Sequence, residues 1–190
     1  VTRPLAAVYA GSMHASNDPL KSEILGAALL RGTFTLRSGA VSNFYIDKYR
    51  FQTRPSLLRR VAARLASLLP PETERLAGVE LGAVPLVTAV ALETGLPFVI
   101  VRKDAKEHGT ANLIEGEPLA GAAVTLIEDV VTTGKASLAA AEKVERAGGR
   151  LLAIVAVIDR GEGAARLQAA GRRFIPLFTL SPEEIAAWSG

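Results

Sequence analysis

The feature that most restricts the fold is a set of short runs with apolar side chains on both strand faces. Residues 98–101 read Phe-Val-Ile-Val, residues 124–127 read Val-Thr-Leu-Ile, and residues 151–158 are apolar throughout. A strand that is apolar on both sides must be covered on both sides. Here segments of helical periodicity separate the runs, which is the pattern of a parallel sheet with helical crossovers. The expectation is an α/β fold. Strands are expected over 76–81, 97–102, 122–128, 151–158 and 173–180. Helices are expected over 84–93, closed by Gly95, over 135–147, ended by Gly148 and Gly149, and over 164–170 and 181–188, the last capped by Ser181. Residues 103–118 read as a charged loop. Ligands of such sheets bind beyond the carboxyl ends of the strands, so the loops after Leu81, Arg102, Glu128 and Ile158 should share one edge.

The N-terminal third is different. Asn17 or Asp18 can cap a helix with Pro19 in its first turn, and Ile24, Leu25, Ala28 and Leu29 recur at helical spacing until Gly32 stops it. Residues 33–47 read as a hairpin turning at Ser38-Gly39. Residues 55–69 carry a helical stripe of Leu57, Leu58, Val61, Ala62, Leu65, Leu68 and Leu69, with Arg59, Arg60 and Arg64 off it, before Pro70-Pro71. Residues 1–17 lack the basic start and long apolar core of a secretory signal, and read as a loosely ordered leader. The rest, 18–190, reads as one domain. A cytoplasmic location is the default.

Composition narrows the chemistry. The 190 residues contain no cysteine and two histidines, so disulfides, thiol nucleophiles and cysteine–zinc sites are excluded. Any metal would be a hard cation held by oxygens. With 22 Lys and Arg against 19 Asp and Glu, the net charge of +3 suits an anionic small molecule better than a nucleic-acid surface. No apolar stretch reaches the ~18 residues of a membrane span.

Four segments carry candidate chemistry. In the first, an apolar strand ends in Glu128 and Asp129, followed by Val130, Val131, Thr132, Thr133, Gly134, Lys135 and Ala136 at a helix start. Amides at a helix N-terminus attract phosphate, and Gly134 permits close backbone approach. Thr132, Thr133 and Ser137 can add hydroxyls. The carboxylates suit sugar hydroxyls, so the pattern reads as a site for a phosphorylated sugar. Walker A is excluded, because Asp129 stands where its first glycine belongs and Ala136 follows Lys135. Consecutive strand residues point to opposite faces, so both acids meet one ribose only if the strand has begun to turn. The second segment, Arg102-Lys103-Asp-Ala-Lys106-Glu-His108-Gly109, is a basic loop able to close over a polyanion; alone it reads equally as a solvated charged loop. The third, Arg37-Ser-Gly-Ala-Val-Ser42, is by itself ordinary turn chemistry. The fourth, Asp159-Arg160-Gly161, offers either an arginine fork for a carboxylate or a helix cap.

In this order and spacing the four segments resemble the orotate branch of the type I phosphoribosyltransferases, over roughly residues 20–180. The stretch from Glu128 to Ala136 resembles the family's phosphoribosyl pyrophosphate signature. Phe34-Thr-Leu-Arg-Ser-Gly with Phe44-Tyr45-Ile-Asp47, and Arg102-Lys-x-x-Lys-x-His-Gly109, resemble the orotate branch. The resemblance implies a mainly parallel five-stranded sheet flanked by helices, with a small hood from about residues 18–50. It implies transfer of the 5-phosphoribosyl group from phosphoribosyl pyrophosphate to orotate, giving orotidine 5′-phosphate and pyrophosphate in pyrimidine (UMP) biosynthesis. Mg2+ would be held mainly through substrate, and a homodimer would lend Arg102 to the neighbouring site.

Carried over, Arg37, Lys103, Lys106 and His108 would meet the pyrophosphate side. Glu128 and Asp129 would hold the ribose and the residues from Thr132 to Ala136 the 5′-phosphate, with Val130 and Val131 in the same phosphoribosyl pyrophosphate stretch. Phe44, Tyr45, Thr132 and Arg160 would contact orotate, with Lys103, His108 and Asp129 closest to catalysis. Two departures stand out. Many relatives have Lys at the position of Arg37, and relatives often carry a Lys in the loop read here as Gly82-Ala-Val-Pro-Leu86, which leaves that loop its backbone amides for pyrophosphate. The rival readings are a type I transferase for another base, which the 34–47 hairpin disfavours, and a non-enzymatic regulator on the same fold.

Overall fold

The computed structural model describes residues 18–35, 39, 41–103 and 113–188; the expected leader, 1–17, lies outside them. Helix α1, Pro19–Ala28, begins where Asp18 Oδ1 accepts the Leu20 N–H at 2.8 Å. It ends earlier than expected. Strand β1, Leu29–Thr35, takes over at Leu29 and pairs antiparallel with β2, Val41–Ile46, with Leu29 opposite Ile46 and Arg31 opposite Phe44. Cross-strand pairing thus overrides the helical period of Leu25, Ala28 and Leu29. Gly32 is no helix stop. With φ +151 it lies where the register shifts between Arg31 and Phe34. A short helix that the sequence did not suggest, α2 (Tyr49–Gln52), follows, its Tyr49 N–H donating to Asp47 Oδ1 at 3.2 Å.

Helix α3, Pro55–Ala66, ends three residues short of the expected 69 and buries Leu57, Val61, Ala62 and Leu65 of the stripe, while Leu58, Leu68 and Leu69 pack against the core only partly buried. Then come β3 (Arg75–Val79), α4 (Val84–Thr94), β4 (Phe98–Val101), β5 (Ile114–Glu115), β6 (Ala123–Val131), α5 (Lys135–Arg146), β7 (Arg150–Asp159), α6 (Glu162–Ala169), β8 (Phe174–Thr179) and α7 (Pro182–Ala187). Ser181 caps α7 in a reciprocal capping box with Glu184.

The main sheet has the order β5-β4-β3-β6-β7-β8. Five strands run parallel, as expected. The sixth, β5, is a two-residue antiparallel edge on β4 that emerges from the segment read as loop. One face is covered by the N-terminal segment and α3–α4, where Ile24, Phe51, Val61, Leu65 and Leu86 meet Leu76, Ile127 and Val155. The other is covered by α5 and α6, where Ala140, Val144 and Leu167 meet Val99, Val124, Leu126 and Ile154. This two-sided burial is what the doubly apolar strands require. The β1–β2 ribbon stands apart from the main sheet as the expected hood. Lys21 Nζ pairs with Glu184 at 2.8 Å, and the Arg31 guanidinium donates to the Ile185 carbonyl at 2.9 Å, so α7 anchors it. Among the described residues no helix is long and apolar enough to cross a membrane.

Candidate active site

The parallel strands β3, β4, β6 and β7 bring their carboxyl ends to one edge, as the alternation predicts. Backbone hydrogen bonds knit it: Glu80 N–H to Val101 O at 2.9 Å and Arg160 N–H to Val131 O at 2.8 Å. Chain order reverses at β3, which lies between β4 and β6, so the crevice of an open α/β sheet falls between the loops after β3 and β6.

Strand β6 runs to Val131, past the expected end at Glu128, and stays paired with β7 through Val131 and Asp159. The two acids therefore lie inside the strand and face opposite layers. Glu128 Oε1 accepts a hydrogen bond from Ser137 Oγ at 2.8 Å, beneath the start of α5. Asp129 Oδ2 lies 2.5 Å from Lys48 Nζ on the hood side. The strand turns only after Val131: Val130 packs against the hood-side core, and Val131 belongs to the core under α5. The environments split the pair. Burial first, and then the Asp129 charge, push Glu128 up to about 7, against the Ser137 hydrogen bond and the Lys48 charge. Ser137, expected to face phosphate, is instead buried and donates to Glu128.

The turn after β6 is open. Gly134, at φ +73, is the N-cap of α5 and supplies no side-chain cap; the first turn holds no acid. The positive φ favours glycine, and a Cβ there would also crowd the Gly163 carbonyl oxygen at 3.2 Å. Thr132, Lys135 and Ala136 are exposed and Thr133 half-buried. Uncapped amides at the positive end of a twelve-residue helix, with hydroxyls beside them, make an anion site.

Arg160 stacks on Phe44, its guanidinium carbon 4.8 Å from the ring centroid. Burial lowers its pKa from the usual arginine range, and its Nε has no hydrogen-bond partner among the described residues. A half-buried cation with an unused donor on an aromatic face suits a planar anionic ligand. Tyr45, the next residue of β2, packs against Phe34 at 5.6 Å and is separated from this pair. Asp159 Oδ1 accepts the Gly161 N–H at 3.1 Å, so the fourth segment holds a turn and an arginine together.

Arg102 and Lys103 begin the basic loop at the same edge. Lys103 N–H donates to Glu80 Oε1 at 2.5 Å, and Lys143 Nζ of α5 donates to the carbonyls of Arg102 and Lys103 at 2.9 and 2.7 Å. The Arg102 side chain lies 3.8 Å from Glu115. Arg37, Lys106 and His108 lie outside the described residues. Sequence reasoning missed Glu80, Lys143 and Lys48. Only Lys48 left a signal, standing directly after the Phe44–Asp47 motif in a chain whose residues 82–86 have no cation.

Among the described residues no three His, Cys, Asp or Glu gather into a metal site. Two carboxylates on opposite faces of one strand cannot cage an ion. The donor set fits a hydrated Mg2+ carried in by substrate oxygens, the mode this ion prefers.

The chain matches the family described as "Phosphoribosyl transferase domain" over residues 56–175. It is 47 % identical over 157 residues to the orotate phosphoribosyltransferase of Thermococcus kodakarensis, covering 81 % of this chain and 85 % of that one. It is 44 % identical over 172 residues to that of Nocardioides sp., covering 90 % and 96 %. Among solved structures, orotate phosphoribosyltransferase of Mycobacterium tuberculosis in complex with 5-phospho-α-D-ribosyl 1-diphosphate superposes with a TM-score of 0.72 at 27 % identity, covering 88 % of this chain and 99 % of that one.

Proposed function

The chain belongs to the orotate phosphoribosyltransferases of the phosphoribosyl transferase family, and from that premise we infer how its site works. It transfers the 5-phosphoribosyl group from phosphoribosyl pyrophosphate to orotate, in pyrimidine biosynthesis. The observation that carries the assignment of the site is the stacking of Arg160 on Phe44 beside the open N-terminus of α5. It sets an anion-ready aromatic platform next to a phosphate-ready turn.

In the reaction orotate N1 forms a bond to ribose C1 as the bond from C1 to the pyrophosphate oxygen breaks, and the electron pair leaves with pyrophosphate. C1 becomes cationic on the way. The amides and hydroxyls from Thr132 to Ala136 hold the 5′-phosphate. Asp129, from the hood side, holds ribose hydroxyls and faces the developing positive charge. Glu128, held neutral up to about pH 7, contributes from the α5 side, where a neutral carboxyl can donate as well as accept. Arg160 and Phe44 orient the orotate ring, with the exposed Thr132 hydroxyl beside them. Orotate is already an anion, so orientation counts for more than a strong base. When carried in by substrate, Mg2+ would supply charge neutralisation on the pyrophosphate, with Asp129 the carboxylate available to it. Lys103, with Arg37, Lys106 and His108, supplies the remaining positive charge.

The basic loop is proposed to serve the neighbouring subunit of a homodimer in the cytoplasm. Glu80 and Lys143 hold its first residues, Arg102 and Lys103, by their backbone, which supports a loop rooted at this edge. The test of the reaction is direct. Orotate absorbance should fall when phosphoribosyl pyrophosphate and magnesium are added, and adenine, hypoxanthine and uracil should give no product.

A further inference from the structure

We propose that Lys48 is a substrate-contacting residue of this enzyme: its ammonium exchanges the Asp129 carboxylate for the pyrophosphate group of phosphoribosyl pyrophosphate. The inference rests on the transferase reading above and extends it. Lys48 leaves the hood immediately after β2 and is the N-cap of α2. Its Nζ reaches the crevice between β3 and β6 and lies 2.5 Å from Asp129 Oδ2. It arrives over Gly82, in the short turn between β3 and α4; residues 82–86, expected as a loop, are helical from Val84 and carry no cation. A Cβ at Gly82 would collide with Asp129 Oδ2 and Lys48 Nζ, and would lie 2.9 Å from Lys48 Cε. The missing side chain at position 82 is thus the space the ammonium fills.

The chemistry favours an exchange over a fixed ion pair. Asp129 is nearly sealed, its side chain 5 % exposed, whereas the Lys48 side chain is 33 % exposed and opens to the edge where substrate enters. A single carboxylate is a weaker partner than a diphosphate bearing several charges, and an ammonium on a four-carbon stem rotates at little cost. As Lys48 turns to the diphosphate, Asp129 loses its counterion where the ribose hydroxyls arrive and becomes their acceptor. One residue thereby keeps Asp129 paired without substrate and supplies the cation absent from residues 82–86.

The test compares two ligands that share ribose 5′-phosphate and differ only at C1. Phosphoribosyl pyrophosphate and orotidine 5′-phosphate are each titrated calorimetrically into wild type, Lys48→Met and Gly82→Ala. Lys48→Met should weaken phosphoribosyl pyrophosphate roughly 10- to 100-fold, the scale of one charged hydrogen bond, and leave orotidine 5′-phosphate within about threefold. Gly82→Ala, whose Cβ would crowd Asp129 Oδ2 as well as the ammonium, should weaken both ligands, and so shows what a disturbance of Asp129 itself looks like. Thermal melts establish that each variant is folded. An equal loss for both ligands in Lys48→Met would make Lys48 a support for Asp129 alone, and no loss would make it a surface ion pair; either overturns the proposal. Wild-type turnover of orotate separates the two levels. If wild type turns over orotate and Lys48→Met binds phosphoribosyl pyrophosphate normally, only this inference falls. If wild type produces no orotidine 5′-phosphate, the transferase reading falls with it.

Discussion

Glu128 should make the protein lose stability as pH rises through neutrality, and Glu128→Gln should remove that loss. The carboxyl is 6 % exposed and accepts one hydrogen bond, from Ser137 Oγ. Burial and the adjacent Asp129 charge raise it from 4.5 to about 7. A carboxyl with a raised pKa holds its proton more tightly folded than unfolded. Its contribution is therefore fully present below about pH 4.5, is lost as pH climbs towards 7, and is flat above. A shift of that size at roughly 1.4 kcal/mol per unit amounts to about 3 kcal/mol, an upper bound because water penetration relaxes buried charges.

Glutamine keeps the shape and the acceptor for Ser137 but does not titrate. Urea unfolding of both proteins should be followed from pH 4.5 to 8.5 at one protein concentration and one ionic strength. The variant should gain on wild type by up to about 3 kcal/mol between pH 4.5 and 8, with most of the divergence complete by pH 7.5. Ser137→Ala removes the bond that favours the ionised form, so its divergence from Glu128→Gln should extend to higher pH. Parallel curves, or a variant that loses ground as pH rises, would mean that the Glu128 charge is well solvated, and would refute the reasoning.

Asp129→Asn should lower kcat by roughly 100-fold or more with the fold retained, the scale of a group that faces developing charge; full activity would remove Asp129 from the mechanism. Arg160→Ala should raise the KM for orotate more than that for phosphoribosyl pyrophosphate, and equal shifts would contradict its placement over Phe44. A chelator should abolish turnover and Mg2+ restore it, whereas metal retained by the substrate-free protein through dialysis would point to a protein cage instead. Arg102→Ala and Asp129→Asn subunits, each nearly inactive, should regain activity on mixing, since each heterodimer then has one site with an intact receiver and an intact donated loop. If subunit exchange is demonstrated and activity stays absent, Arg102 acts within its own chain.

The sheet was legible in the sequence because burial on both faces leaves a mark no helix crossover or loop shares. Residues 98–101 and 151–158 became β4 and β7 almost to the residue. What was not legible came from pairing and reach. Leu29 continues a helical period, yet it pairs with Ile46, a contact defined only once the hairpin closes. Nothing within residues 103–118 marks Ile114 and Glu115 as a strand; β4 supplies the edge that makes them one. The extension of β6 to Val131 depends in the same way on β7 beside it.

That extension decides the character of the site. Had the strand ended at Glu128, both acids would share a turn, and like charges close together would leave the pair to divide protons between them. Kept in the strand, they are sent into different layers, and each layer supplies a different partner: a serine hydroxyl from α5 and an ammonium from the hood. The same two-residue period that makes a strand apolar on both faces in residues 124–127 makes it acidic on both faces in the next two positions. The acids then occupy unlike environments at one crevice, which is the condition for unlike roles. The hood's part follows from its anchoring. It delivers Lys48 to Asp129 and Phe44 to Arg160, and Lys21 and Arg31 tie it to α7 at the far end of the chain. The first and last described helices therefore fix the position of two side chains at the sugar and base ends of the site.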